Sequence, residues 1–257
     1  MTAWAPASPA LPPLTLLSVV IPARDEEESL PSTLEHLGAE LQAAQIPHEI
    51  VVVDDGSSDG TWAALQSIRD RIPALRPVQN RAEHGFGRAV RHGLRHSRGD
   101  AVVIVMADGS DDARDVARYW RALGAGWECV FGSRFVEGAS LADYPRAKLV
   151  LNRVANAAIA FLFGIPLDDT TNAFKGYRRS VISGCEPLVS SGFELTVELP
   201  LKAIVRGYSW TVVPVSWRNR RHGVPKLKLR NVACRYAARV LSVWVERLRT
   251  RRAPGCA

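Results

Sequence analysis

An unbroken apolar run from Ala101 to Met106 delivers three carboxylates, Asp108, Asp111 and Asp112, onto its own C-terminal end in the stretch AVVIVMADGSDD. Open α/β sheets place ligands at the carboxyl ends of their strands, and hard divalent cations prefer several oxygen ligands. These acids therefore stand where a phosphate-bound metal would be held. A second acidic strand end, Asp54-Asp55-Gly56-Ser57-Ser58-Asp59-Gly60-Thr61, offers carboxylates that can accept hydrogen bonds from a ribose hydroxyl or a base edge. Its Gly and Ser residues allow a tight turn into the next helix, and the competing reading is a plain turn in which Asp59 caps that helix. A third segment, NRAEHGFGRAVRHGLRHSRGD (80–100), sets Gly85 and Gly87 ahead of a helix containing Gly93. Such glycines admit close approach of a phosphate or close packing on a sheet. No Walker lysine and no third glycine at dinucleotide spacing accompany them.

The elements that must position these groups alternate. Strands are expected at Leu17–Pro22, His48–Asp54, Arg76–Asn80, Ala101–Met106 and from Cys129 to Gly132, separated by helices at Glu26–Gln45, Gly60–Arg71, Gly87–Ser97 and Asp112–Leu123. Strands alternating with helices imply a mostly parallel sheet with right-handed crossovers. Beyond Gly138 the pattern predicts a helix at Arg146–Phe163, a strand at Asn172–Arg178, a helix at Glu194–Arg206, a strand at Ser209–Trp217 and a final helix at Leu227–Leu248. The division expected is a flexible Pro/Ala-rich tail (1–16), one large α/β domain (17–226), an amphipathic helix (227–248) and a basic tail (249–257).

With 257 residues, 47% of them hydrophobic, the chain can bury a full core. Its net charge of +7 suggests an anionic partner: nucleotide phosphate, lipid headgroup, membrane surface or nucleic acid. The charge concentrates at the end, where twelve Lys and Arg residues between Arg218 and Arg252 are opposed only by Glu246. Cys129, Cys185, Cys234 and Cys256 form no C-x-x-C pair and no zinc-type spacing, which fits a reduced, cytoplasmic protein. The first residues lack the basic region and continuous apolar core of a signal peptide. The most apolar segment, Val154–Leu167, is interrupted by Asn156, Gly164 and Pro166 and is shorter than the roughly 20 residues a span requires. Any membrane contact is thus expected to be peripheral, at the cytoplasmic face.

In this order the pieces resemble the family 2 glycosyltransferases of the GT-A fold, and within them the polyprenyl-phosphate sugar transferases that include the dolichol-phosphate mannose synthases. The resemblance rests on VIPARDEE (20–27) beside the family's V-I-P-x-x-N-E-E, on VVVDDGSSDGT (51–61), the glycine segment, ADGSDD, GSR (132–134), DTTNAFKGYRR (169–179) and RNRRHGVPKL (218–227), and covers about residues 17–248. It implies a GT-A (Rossmann-like) domain that takes a nucleotide sugar, GDP-mannose, with its diphosphate bridged by Mg²⁺ or Mn²⁺. On that reading Pro22, Asp25, Glu26, Asp54, Asp55, Gly85 and Gly87 serve the donor, Asp108 holds the metal, and Arg134, Lys175, Arg218 and Lys226 grip donor or acceptor phosphates. Arg134 and Lys226 join Asp108 as the residues implied to carry the transfer. A nucleoside diphosphate leaving group gains charge that a metal and cations stabilise. Two departures stand out. The family often carries D-x-D, yet Met106 occupies the first acid's position, so that Asp111 or Asp112 either supplies the missing oxygen or simply begins the next helix, where its dipole favours acids. Pro225 replaces the serine that often precedes the lysine.

A hydroxyl acceptor needs a general base, whereas a lipid phosphate is already an anion. Glu194 and Glu198 share a helix face and are candidates for such a base, or for ordinary pairing with Lys202. In the final helix Lys228, Arg235, Arg239, Ser242, Glu246 and Arg249 form a polar stripe opposite Leu229, Val232, Tyr236, Val240, Val243 and Trp244. That basic amphipathic face suits an anionic membrane and a polyprenyl chain, although a helix packed on the core shows the same pattern. The expectation is therefore an inverting, metal-dependent transfer to polyprenyl phosphate. The rivals are the same donor chemistry on a hydroxyl acceptor, and a catalytically silent nucleotide binder. Nucleic acid is not expected as a partner, since no recognised motif or interleaved aromatic pattern accompanies the basic residues.

Overall fold

The computed structural model describes residues 11–220 and 229–252. Seven strands form one sheet: β1 (Leu17–Ala23), β2 (His48–Asp54), β3 (Leu75–Gln79), β4 (Ala101–Ile104), β5 (Cys129–Ser133), β7 (Lys175–Arg178) and β8 (Trp210–Pro214), in the order β3-β2-β1-β4-β7-β5-β8. Two short strands, β6 (Ser140–Ala142) and β9 (Ser216–Arg218), pair separately and parallel. All the main pairings are parallel except those of β7, which runs antiparallel to both β4 and β5. The fold is the expected mostly parallel, GT-A-like sheet flanked by helices.

β1 reads LSVVIPA and is buried at every position, as a strand covered on both faces must be. Successive side chains alternate between the faces. Val19 and Ile21 pack with Leu34 and Leu37 of α1 (Leu30–Ala43), Leu65 of α2 (Thr61–Arg69) and Val116 of α4 (Ala113–Gly124). Val20 packs instead with Val90 of α3 (Phe86–His96), Val181 of α6 (Arg179–Gly184) and Leu199 of α7 (Leu195–Val205). A Cβ on Gly93 would lie 2.5 Å from Val20 Cγ1, so this glycine seats α3 against the sheet. A third cluster joins α5 (Arg146–Phe163), α7 and α8 (Leu229–Arg252) through Phe163, Leu201, Val240 and Val243.

The chain moves outward from β1 to β2 and β3, then returns to lay β4 on β1's other side. Strand order reverses there, so a crevice opens at the carboxyl ends of β1 and β4. The structure also revises several expected limits. α1 begins at Leu30 rather than Glu26, since Pro31 occupies its first turn and residues 27–29 form a turn. The strand expected at Asn172 begins at Lys175, and the one expected over Ser209–Trp217 divides at Val215, leaving β8 to pair with β5 and β9 with β6. α8 continues to Arg252, and its Tyr236, Val240, Val243 and Trp244 cover the protein itself, packing on α5 and α7.

Candidate active site

The Ala101–Asp112 segment splits its acids between two duties. Asp108, 8% exposed, accepts from the Ser110 amide on Oδ1 (3.1 Å) and pairs through Oδ2 with Arg220 (3.1 Å). Asp111 lies beside it at the same cavity and accepts from the Met106 amide (3.0 Å). Burial, with the Asp108 charge adding to it, pushes the Asp111 carboxyl up to about 7. Asp112 does something else: it is the N-cap of α4, accepting from the Arg114 amide (3.0 Å) and pairing with the Arg114 guanidinium (2.5 Å). The structure therefore brings Asp108 and Asp111 together and spends Asp112 on a helix end. Among the described residues no three His, Cys, Asp or Glu side chains form a metal cage. Two carboxylates with hard oxygens still fit Mg²⁺ or Mn²⁺, since such ions take their remaining ligands from water and substrate phosphates.

The donor-side residues form a cross-braced pair of loops. Asp25 sits at φ +48°, accepts from the amide (2.7 Å) and hydroxyl (3.1 Å) of Ser58, and donates its own amide to the Ser57 hydroxyl oxygen (3.0 Å). Asp tolerates this left-handed conformation better than most residues. Asp54 accepts from the Ser57 amide (3.1 Å), and Asp55 from Asn80 Nδ2 and the Gly85 amide (both 2.7 Å). Glu26 lines the cavity, while Pro22 is buried within β1 opposite Val53. Gly85 and Gly87 approach protein rather than opening toward the cavity: an added Cβ would meet Ser191 O at 2.4 Å and Ser190 O at 2.6 Å, respectively. The amides of Gly87 and Arg88 donate to Ser191 O. These two glycines dock α3 on the backbone of segment 190–192 rather than on the sheet.

Among the expected phosphate-binding cations, Arg134 is built in most firmly. Its guanidinium makes a bidentate pair with the fully buried Asp169 (Nε–Oδ2 2.8 Å, NH2–Oδ1 2.7 Å), and its amide donates to the same carboxylate (3.0 Å). Arg134 lines the cavity from that fixed position. Lys175 does not reach it. Its ammonium, 1% exposed, donates to the carbonyls of Thr170 and Asn172, and burial pushes its pKa down to about 7. Arg218 is exposed and holds Ser110 O through its amide, whereas Arg220, two positions on, reaches Asp108. Lys226 and Pro225 lie outside the described residues.

Glu194 and Glu198 are both engaged in local structure. Glu194 accepts from the amides of Ser191 and Gly192 (both 3.0 Å) and faces Arg235 at 3.7 Å. Glu198, fully buried, accepts from the amides of Val189 and Ser190 and pairs with Lys202 (3.2 Å). Neither lines the cavity.

That cavity, of about 650 Å³, has two chemically distinct ends. Asp108, Asp111, Arg134, Tyr144, Lys148 and Arg220 line one; Leu151, Ala155, Ala158 and Leu162 of α5, with Ala237, Val240 and Leu241 of α8, line the other. Tyr144 packs edge-on against Trp217, with the Arg134 and Lys148 cations 5.5 and 5.3 Å from its ring centre. The apolar end adjoins an unusual outer surface, where Val150, Val154 and Phe161 of α5 are 63%, 62% and 91% exposed. Spaced by four and seven residues, they form a solvent-facing apolar stripe, the reverse of an ordinary surface helix. No described helix is long and apolar enough to cross a membrane. Tyr144, Lys148, Trp217 and Arg220 join the cavity without having been expected there, and Asp169, part of DTTNAFKGYRR, proves to be the partner of Arg134. Arg220 was legible within RNRRHGVPKL, whereas Lys148 stands in no motif.

Comparison with known proteins agrees with this architecture. A polyprenol monophosphomannose synthase of Mycolicibacterium smegmatis is 34% identical over 243 residues, covering 92% of this chain and 89% of the relative. A dolichol-phosphate mannosyltransferase of Pyrococcus furiosus is 29% identical over 82% of this chain, which spans 59% of that protein's length. The crystal structure of glucosyl-3-phosphoglycerate synthase from Mycobacterium tuberculosis, in complex with Mn²⁺, UDP and glucosyl-3-phosphoglycerate, superposes with a TM-score of 0.69 at 19% identity. That match covers 89% of this chain and 80% of the other, and shows a shared fold. Residues 18–184 match the model described as Glycosyl transferase family 2, and the chain belongs to that family of glycosyltransferases.

Proposed function

We propose that the chain is an inverting, divalent-metal-dependent transferase that moves mannose from GDP-mannose to a polyprenyl phosphate. The observation that carries this reading is the two-ended cavity: charged groups suited to phosphates open directly into an apolar groove between α5 and α8. A lipid phosphate has the same polarity. The names of the two curated relatives support mannose and a polyprenol-type acceptor. GDP as the nucleotide rests on the resemblance of the sequence motifs.

Asp108 and Asp111 would hold Mg²⁺ or Mn²⁺, which supplies charge neutralisation at the departing diphosphate. Pro22, Asp25, Glu26, Asp54 and Asp55 bound the donor's nucleoside end. Arg134, fixed by Asp169, and Lys148 hold the acceptor phosphate by charge-assisted hydrogen bonds and aim its oxygen at the anomeric carbon. Arg218, on β9, is a further cation for this side, and Lys226 is kept as a phosphate-binding candidate on the resemblance of the sequence motifs alone. Because the attacking oxygen is already anionic, no base is required, in keeping with the structural engagement of Glu194 and Glu198. One displacement inverts the anomeric centre. Residues 17–226 form the catalytic domain, and α8 acts as a wall of the acceptor groove. Peripheral contact with the cytoplasmic face of the membrane falls to the exposed stripe of α5, which would place the groove's apolar end at the lipid.

The test is acceptor preference. With one donor and Mn²⁺, transfer should rise steeply from isopentenyl phosphate to polyprenyl phosphates of increasing length, and Ala158→Glu should suppress the long acceptors most. Transfer to soluble hydroxyl acceptors with none to any polyprenyl phosphate would overturn the assignment.

A further inference from the structure

Asp108 is already half of an ion pair. Its Oδ1 takes the Ser110 amide and its Oδ2 takes Arg220 at 3.1 Å, so both carboxylate oxygens are engaged before any cation approaches. The arginine's backbone is tethered close by, through the Arg218 amide on Ser110 O and the Asn219 amide on Ala142 O. Its side chain is about a quarter exposed and lines the cavity. Lys148 lies near enough for Arg134 and Arg220 to depress its pKa, after burial as the main cause. No carboxylate pairs with Lys148 among the described residues. Three cations thus line the cavity with Asp108 and Asp111, Arg134 paired with Asp169 and Arg220 with Asp108.

We propose that Arg220 is an exchangeable counter-ion of Asp108: a divalent metal displaces it, and the freed guanidinium joins Lys148 in capturing the acceptor's phosphate. The inference rests on the reading of Asp108 as a metal-binding residue. Exchange leaves the cavity with two cations lacking carboxylate partners, where the paired state has one. An anion therefore binds the metal-loaded protein more tightly. Linkage makes the effect reciprocal, so a bound monophosphate draws Arg220 from Asp108 and raises the affinity for metal by the same factor.

The experiment measures Mn²⁺ binding directly, by loss of the free-ion electron paramagnetic resonance signal, on the full chain without donor. Arg220→Ala is expected to bind Mn²⁺ about threefold to tenfold more tightly than wild type, the range for releasing a partly screened ion pair. Arg220→Lys should fall between them. In calorimetric titrations with isopentenyl monophosphate, Mn²⁺ should strengthen binding more in wild type than in Arg220→Ala, where only the metal's own charge acts; equal strengthening in both would overturn the capture of phosphate by the freed guanidinium. Equal or weaker Mn²⁺ binding by Arg220→Ala would overturn the exchange. Asp108→Asn separates the two levels: loss of Mn²⁺ binding upholds the metal assignment whatever Arg220 does, and retention removes it and the exchange together.

Discussion

Asp169→Ala is the most demanding single perturbation of the candidate site. The substitution leaves Arg134, 9% exposed, without its paired carboxylate and with three donors deprived of their acceptor. Breaking a buried pair from one side costs about 3–5 kcal/mol, because the survivor stays desolvated and unpaired. For a domain of this size each kcal/mol lowers Tm by about 2–4 °C, so a fall of about 6–20 °C is expected. Thermal and urea unfolding followed by circular dichroism would read it. The double variant Arg134→Met/Asp169→Leu should recover all but about 1 kcal/mol, the residue being the Arg134 amide left without its acceptor. It should nevertheless be inactive, for want of the Arg134 cation. A loss below about 1 kcal/mol in Asp169→Ala, or a double variant as unstable as the sum of the singles, would refute the reasoning.

Three further outcomes follow from the same geometry. Burial raises the folded-state pKa of Asp111 from 3.8 to about 7, so its contribution to stability is complete below pH 3.8 and lost as the pH rises through about 7. Asp111→Asn should flatten the dependence of Tm on pH across that window in metal-free buffer and be the more stable protein at pH 8; an unchanged slope would contradict this. Gly87→Ala drives a methyl to 2.6 Å from Ser190 O and 2.8 Å from Gly192 O, and should cost about 1–3 kcal/mol in denaturant unfolding. Glu198→Gln removes the partner of the buried Lys202 and should destabilise by about 3 kcal/mol while leaving kcat per folded molecule unchanged. A general base would instead show a loss of about 10²–10⁴ in kcat.

The parts of the fold legible in the sequence are those whose reasons are local. β1, β2 and β4 are runs of branched apolar residues, and α5 falls on its expected limits because Gly164 ends it in the left-handed conformation at φ +57°. β6 was illegible because three residues carry no period, and the antiparallel sense of β7 leaves no trace in KGYR, since a strand covered on both faces looks alike in either direction. The site divides the same way. Asp108 was readable at a strand end, whereas the Arg134–Asp169 pair spans 35 residues and Lys148 belongs to no motif. Asp112 and Lys175 show the converse: a carboxylate at a helix start and a lysine in a family motif were spent on structure. α8 shows a limit of amphipathicity, since its apolar side matches a membrane surface and the side of α7 equally well.

The most direct test of the account is the product itself. A panel of nucleotide sugars would be incubated with the protein, Mg²⁺ or Mn²⁺ and a short polyprenyl phosphate, and the lipid fraction analysed by mass spectrometry beside Asp108→Ala. The account predicts a mannosylated polyprenyl phosphate from GDP-mannose, formed only with divalent metal and lost in the variant. No lipid-linked sugar from any donor, or undiminished product with Asp108→Ala, would contradict it.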